Sequence, residues 1–532
     1  MASSTEEFDY VIVGAGSAGC VLAGRLTEDP SVSVCLIEAG GSDNSKFIQI
    51  PGAIAAILAT PIKNWAYKTE PQAHLNNRRG FQPRGRVVGG SSSINAMIYI
   101  RGQREDYADW VAAGATGWGW DDVWPYFQKA ENQERGADAH HAVGGPLNVA
   151  DLRHKAKVGD AFIEAGEQLQ IPRNDDFNGD SQEGVGWYQV TQKDGHRWSA
   201  ARAYLAPALS RPNLKVITKA RAGKVLMEGK RAIGLAYRKG GEQQVHARRE
   251  VVLCGGAFNS PQLLMLSGIG PAEHLKAHGI DVVHHLPGVG QNLQDHIDYV
   301  SAYRCLTKDA LGLSPGGLLE FFRGYGPWKR EGQGVLTTNF AEAGGFLKTD
   351  PSLDRPDIQL HFVVGIVDDH TRKRHYSRGY SCHVCVLRPK SRGYVGLKSA
   401  DPMKAPLIDP RFLSDPADLA TLINGYKAMR RILEAPAFAP YRGKELYTDG
   451  SETDAEIEAW IRKRADTVYH PVGTCRMGTD PESVVDPNLK VHGLEGLRVV
   501  DASVMPTVIS GNTNAPCIMI GEKAVDLIKA AA

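Results

Sequence analysis

The first residues with types and spacing that could do specific chemistry are Gly14-Ala15-Gly16-Ser17-Ala18-Gly19. In such a run the first glycine permits a tight turn and the second lets a pyrophosphate approach the backbone. The third lets a helix pack close on a strand. A helix opening here turns free N–H groups and the positive end of its dipole toward phosphate. The elements that must hold this loop are legible on both sides. Phe8 to Val13 (FDYVIV) is a short apolar run suited to a buried parallel strand, and the CVLAGRL after Gly19 suits a helix. A second strand, Val32 to Ile37, ends in Glu38-Ala39-Gly40. A carboxylate there accepts hydrogen bonds from the adenosine ribose and repels a 2′-phosphate. Glycine-rich turns alone are common, but strand, loop, helix, strand and terminal acid in this order read as a dinucleotide site. They do not separate FAD from NAD.

Acid–base, nucleophilic and metal chemistry are harder to place by residue type. Histidine suits proton abstraction because its unperturbed pKa is about 6.5, yet the chain has 17 of them, so the type alone selects none. His140-His141 and His284-His285 lie in polar or turn-flanked sequence without a third ligand at metal spacing, and are expected to be solvated surface. Cys382 and Cys385 form a C-x-x-C inside CHVCVL with no second ligand pair nearby. On a strand, positions three apart face opposite ways, so both are expected to pack in a core. No metal site is expected.

Composition bounds the class. A hydrophobic fraction of 42% and a charged fraction of 23% are those of an ordinary globular protein, and 532 residues call for two joined domains. A net charge of +1 gives no reason to expect nucleic acid. MASSTEEFDY lacks the basic and apolar regions of a secretory signal, and no apolar run reaches the roughly 18 residues that span a bilayer. The expected location is the cytoplasm, in a reducing compartment. Two apolar stretches, Ile50 to Ile62 and Leu311 to Trp328, leave open a peripheral contact with the inner face of the cytoplasmic membrane. The bland reading of both is lid and core packing. Glu250 to Leu253 and Leu497 to Val500 read as further strands of the dinucleotide sheet. Ile358 to Val364, Cys382 to Leu387 and Tyr394 to Lys398 read as strands of another.

Three further segments carry a resemblance. Gly85 to Asn95 reads GRVVGGSSSIN, Gly256 to Gly270 reads GAFNSPQLLMLSGIG, and Tyr469 to Gly478 reads YHPVGTCRMG. Val500-Asp501-Ala502-Ser503 and Gly511-Asn512-Thr513-Asn514-Ala515-Pro516 follow. In order and across the whole chain these resemble the signature segments of the glucose–methanol–choline (GMC) oxidoreductase family. The resemblance implies an α/β and α+β architecture with FAD as cofactor. A Rossmann-like FAD-binding domain would comprise residues 1–155, 215–300 and 465–532. It would interleave with a substrate-binding domain of 156–214 and 301–464, which carries a large antiparallel or mixed sheet over the flavin.

By the same resemblance the cofactor contacts include Gly14, Gly16, Ser17, Ala18, Gly19, Glu38 and Ala39. Gly89 and Gly90 would let backbone approach the flavin diphosphate and ring, with Asn95 and Ala96 at the isoalloxazine and Trp65 near the cofactor. The backbone of Ala222 would meet the adenine, and Asp501 with Ala502 the phosphates and ribityl chain. Some relatives attach FAD covalently through a histidine just before that asparagine. Ile94 stands there, so non-covalent FAD is expected.

Oxidising an alcohol requires removal of the hydroxyl proton and delivery of a hydride to flavin N5, and a base beside the hydroxyl helps by roughly 10²–10⁴-fold. His470 matches the family's catalytic histidine and is expected to be that base. Asn512 matches its partner, expected to orient the substrate oxygen and steady developing negative charge. Asn514 is expected on the cofactor side or as a cap. FAD chemistry gives Cys475, five residues after His470, no nucleophilic task. The segments FNGDSQEGVGWYQVTQKDGHRWSAARAYL and NWAYKTEPQ look most like bacterial dehydrogenases of aliphatic primary alcohols that pass electrons to a quinone or other acceptor, and choline dehydrogenases are also similar. An oxygen-using oxidase of aliphatic, aryl or furan alcohols, a choline dehydrogenase and a non-redox FAD lyase remain the alternatives.

Overall fold

The computed structural model describes residues 6–448, 450 and 452–531. Two seven-stranded sheets organise them. In the first, the strands Leu214–Ile217, Val34–Ile37, Glu6–Val13 and Glu242–Leu253 lie side by side in parallel. An antiparallel meander then continues through Arg231–Arg238 to Arg221–Glu228, while Leu497–Val499 adds in parallel to the far end of Glu242–Leu253. Val11, Ile12, Leu36 and Val252 are fully buried, and the carboxyl ends of the central strands (YVIV, VCLI and VVL) are apolar runs rather than alternating ones, as buried parallel strands are. The helix Ser17–Leu26 leaves the glycine loop and packs on the last described helix, Asn514–Ala530, where Gly521 lets the backbones approach. Arg25 holds Glu522 across that contact at 2.7 Å.

The second sheet is antiparallel throughout. Its order is Arg442–Glu445, Ile297–Cys305, Gly379–Val386, Ile358–Val363, Ala343–Leu347 and Gly184–Trp187, with the short Asp466–Thr467 paired to the start of Ile297–Cys305. The helices Lys157–Gln168 and Pro416–Glu434 cover its outer face. Side chains alternate along a strand, so Ile358, Leu360 and Phe362 enter the core beneath those helices. Gln359, His361 and Val363 are thereby turned to the other face. The inner face of this sheet and the carboxyl ends of the parallel strands enclose one cavity, at the position where open α/β sheets bind ligands.

The fold departs from the expected pattern in four places. Ile297–Cys305 belongs wholly to the second sheet and so crosses the expected boundary at residue 300. Ala201, Tyr204 and Leu205 pack in the first core with Ala18 and Leu22, although residues 156–214 are expected in the other domain. Tyr394–Gly396 pairs only with Leu407–Asp409 in a separate two-stranded ribbon. His141 is not solvated. It lies buried between Glu131 at 2.9 Å and Asp176 at 2.8 Å, with Arg101 also paired to Glu131, and these carboxylates lift its pKa to about 9 against the cost of burial. Cys382 and Cys385 are free and buried. Among the described residues no helix is long and apolar enough to cross a membrane, and no group of His, Cys, Asp and Glu could hold a metal ion.

Candidate active site

The cavity has a volume of about 800 Å³. It runs from the glycine loop to the space under the second sheet, and its wall includes Gly14, Gly16, Ser17, Ala18, Glu38, Ala39, Trp65, Gly90, Asn95, Ala96, Ala222, Asp501, Ala502, His470 and Asn512. Gly19 and Gly89, also expected at the cofactor, do not line it. A Cβ on Gly19 would sit 1.9 Å from the Gly14 carbonyl oxygen, so Gly19 serves close packing. Gly89 donates its N–H to Ala15 at 2.7 Å and turns the chain at φ +90°.

The residues present fit a dinucleotide with a flavin ring. Gly14 takes φ +106°, and a Cβ on Gly90 would meet the Gly16 Cα at 2.7 Å, so glycine is needed at both for the close backbone packing that shapes this part of the cavity wall. The helices starting at Ser17, Gly256 and Asn514 have no side-chain cap, and residues of each first turn line the cavity. At Ser17 and Asn514 the first N–H groups are therefore available to anionic ligand atoms, whereas the Gly256 N–H is taken by Asp501 at 2.8 Å. Glu38 accepts the N–H of Ala15 at 2.9 Å and of Gly40 at 2.6 Å, which fixes the loop. Burial nevertheless pushes its pKa up to about 7, so further donors such as ribose hydroxyls would favour its charged form. Asp501 accepts from Gly256, Ser260 and twice from Ser503, so its main local work is to hold the Gly256 turn. Trp65 stacks on Tyr67 at 5.5 Å with the guanidinium of Arg221 over its ring at 4.5 Å. Asn95 spends its carbonyl oxygen on the Met97 N–H and on Arg197, leaving its NH₂ for the cavity.

Between the sheets the geometry determines proton positions. The Leu387 carbonyl can only accept, so at 3.0 Å it takes the Nε2–H of His296. Burial drives the pKa of His296 down to about 4. The ring is therefore neutral, and its bare Nδ1 accepts from Nδ1–H of His470 at 2.9 Å. His470 then carries its lone pair on Nε2, in the cavity wall, 3.2 Å from the amide nitrogen of Asn512. Desolvation first, then the nearby His296, His361 and Arg84, hold the His470 pKa well below 6.5. The His470 backbone N–H is pinned by Asp295 at 2.8 Å, and Tyr469 before it adopts φ +78°. Backbone strain of that kind is held by such pins.

A second chain of donors fixes Asn512. The Leu360 carbonyl accepts the Tyr188 hydroxyl at 2.6 Å, and the Tyr188 oxygen accepts an N–H of Gln359 at 3.1 Å. The other Gln359 N–H is donated to Asn512 Oδ1 at 3.1 Å, which leaves the Asn512 NH₂ toward His470. His361, its pKa lowered to about 3 by burial, stands with Nε2 3.5 Å from the same amide nitrogen. Asn514 instead accepts from Ser17 at 2.8 Å, joining the first helix to the last. His296, His361, Gln359 and Tyr188 are absent from the residues that sequence singles out. The alternation of IQLHFV is the available signal for Gln359 and His361, whereas His296 has none beyond its residue type.

Similarity to known proteins extends over nearly the whole chain. The N-terminal GMC oxidoreductase model matches residues 8–298 and the C-terminal one residues 389–521. An alcohol dehydrogenase [acceptor] of Pseudomonas putida is 51% identical over 98% of this chain and 95% of its own length. The mitochondrial choline dehydrogenase of Homo sapiens is 48% identical over 99% of this chain and 90% of its own. The crystal structure of pyridoxine 4-oxidase from Mesorbium loti superimposes with a TM-score of 0.88 at 34% identity, covering 98% of each chain.

Proposed function

The chain belongs to the GMC oxidoreductase family of FAD flavoproteins, and from that premise we propose that it oxidises aliphatic primary alcohols to aldehydes and passes the electrons to a quinone or other acceptor. Bound FAD, held non-covalently, supplies the hydride acceptor at N5 of its ring. The observation that carries the reading is the His470 Nε2 lone pair in the cavity wall with the Asn512 amide nitrogen 3.2 Å away. An alcohol entering between them donates its O–H to Nε2 and accepts from the Asn512 N–H. His470 takes the proton, and Asn512 continues to donate to the oxygen as its negative charge grows. The buried surroundings exclude water and strengthen both interactions. Non-covalent attachment is supported by Ile94, which has no nucleophile and packs with Ile48, Ile57 and Val87.

The preference for an uncharged chain over choline rests on the cavity wall. Glu38 and Asp501 are the carboxylates lining it, both at the glycine-loop end and both already accepting donors. The wall under the second sheet carries Ile54, Leu58, Leu313, Phe321, Val363 and Ile366, with Lys373 and Arg374 as cations. Such a wall suits an alkyl chain and offers a quaternary ammonium no free anion. Peripheral contact with the cytoplasmic face of a membrane, where a quinone would be met, is supported by Phe322 at 80% and Tyr376 at 76% exposure, near the cavity-lining Leu318, Phe321 and His375.

Anaerobic titration of the purified protein with 1-octanol tests the reading through the oxidised flavin absorbance. Bleaching is expected. A flavin that stays oxidised with octanol but bleaches with choline or an aryl alcohol would replace the substrate class. A flavin that no alcohol reduces would favour the non-redox alternative, and oxygen consumption as fast as dye reduction would favour an oxidase.

A further inference from the structure

We propose that Gln359, backed by Tyr188, is a positioning residue that decides which end of the Asn512 carboxamide faces His470. The inference rests on the reading of His470 as base and Asn512 as donor. A carboxamide presents a donor at one end and an acceptor at the other, in nearly the same shape. Only the NH₂ end can serve an alkoxide-like oxygen, because an amide oxygen placed there would repel it. Nothing in the His470 branch alone enforces the choice once substrate separates the two side chains.

The Gln359 branch does enforce it. It begins at the Leu360 carbonyl, which cannot donate, so the Tyr188 hydroxyl must point to it at 2.6 Å. The Tyr188 oxygen therefore accepts, and Gln359 must present its NH₂ there at 3.1 Å. That NH₂ has one hydrogen left, and it reaches Asn512 Oδ1 at 3.1 Å. Flipping Gln359 would set its own oxygen against the Asn512 oxygen, and flipping Asn512 would set its NH₂ against the NH₂ of Gln359. Either arrangement forfeits hydrogen bonds in a dry interior, where such losses are costly. Gln359 is fully buried and Tyr188 nearly so, which keeps water from substituting. The Asn512 NH₂ ends with one hydrogen toward His470 Nε2 at 3.2 Å and the other toward His361 Nε2 at 3.5 Å, both bare nitrogens in this scheme. The anchoring carbonyls come from one sheet, Leu360 within Ile358–Val363 and Leu387 just past the end of its neighbour Gly379–Val386. Base and donor are thus both oriented before substrate arrives.

The test is a double-mutant cycle on anaerobic flavin reduction, measured with whichever primary alcohol bleaches the wild-type flavin. Gln359→Leu should keep its FAD and its apparent alcohol Kd but lower the limiting reduction rate roughly 10- to 100-fold, as loss of orientation does. In an Asn512→Ala background the same substitution should have little further effect, because Gln359 acts through Asn512. Tyr188→Phe, which preserves shape, should show a smaller loss of the same kind. In Gln359→Leu the acidic limb of the rate–pH profile should also move to higher pH, since a rotated amide oxygen would stabilise protonated His470. Wild-type-like reduction by Gln359→Leu would overturn the proposal, and so would an equal loss in the presence and absence of Asn512. A wild-type protein that no alcohol reduces would instead refute the functional reading on which the proposal rests.

Discussion

Replacing His296 by leucine isolates what a histidine outside the cavity wall contributes. His296 is fully buried, and burial holds it neutral by lowering its pKa to about 4, so at pH 7 it offers Nδ1 as an acceptor. It meets His470 Nδ1–H at 2.9 Å, with the two rings nearly perpendicular at 86°. Before reaction this bond keeps the proton on Nδ1 and leaves Nε2 bare. Once Nε2 has taken the alcohol proton, the same bond comes from a cationic donor, and such bonds contribute about 1.5–3 kcal/mol. At about 1.4 kcal/mol per tenfold, His296→Leu should slow flavin reduction roughly 10- to 100-fold while the protein retains FAD. His296→Asn carries a donor for Leu387 and an acceptor for His470 and should recover part of that loss. The assay is anaerobic stopped-flow at saturating alcohol, with flavin content measured on each variant. Reduction by His296→Leu as fast as wild type would refute the proton assignment, and an asparagine variant no better than leucine would refute the argument from hydrogen-bond polarity.

His470→Ala should retain FAD yet lose roughly 10²–10⁴-fold in reduction rate; Asn512→Ala should lose less, and loss of flavin from it would assign Asn512 a structural role instead. Gly90→Ala adds a Cβ 2.7 Å from the Gly16 Cα at φ +54°, which would push the glycine loop out of place, so the variant should purify with less FAD, and a full flavin complement would contradict a cradle shaped by this close approach. Because burial and neighbouring histidines depress the His470 pKa, the base form persists below the unperturbed value of about 6.5. The limiting reduction rate should therefore stay level as pH falls from 8 toward 6.5 and decline only at lower pH. A decline that begins above pH 7 would contradict the depressed pKa.

Much of the cofactor end is legible in the sequence, because its physics is local. Gly14, Gly16 and Glu38 lie within one βαβ unit, where spacing along the chain fixes spacing in space. The substrate end resists for the opposite reason. His296 and His470 are 174 positions apart and Gln359 and Asn512 are 153, so the bonds that orient them exist only after two sheets have packed together. His470 and Asn512 stand out by resemblance, not by residue chemistry. His141 reads wrongly as surface because an HH pair in polar sequence gives no hint of the buried Glu131 that meets it. Gly19 packs helix on strand as its place in the loop implies, and Gly89 reads as a ligand contact by resemblance alone although its work is a turn held by Ala15.

The contact between the first and last helices has a consequence for how the protein comes into being on the ribosome. Ser17 in the glycine loop bonds Asn514, 497 positions later, and Arg25 of the same helix grips Glu522. A nascent chain that has made its glycine loop still lacks one wall of the dinucleotide cradle. That wall emerges only near the completion of these residues, together with Asn512. Cofactor capture and assembly of the reactive pair therefore wait until residues 512–522 have joined the fold, and a pulse of synthesis without FAD should yield a protein that can still be loaded afterwards.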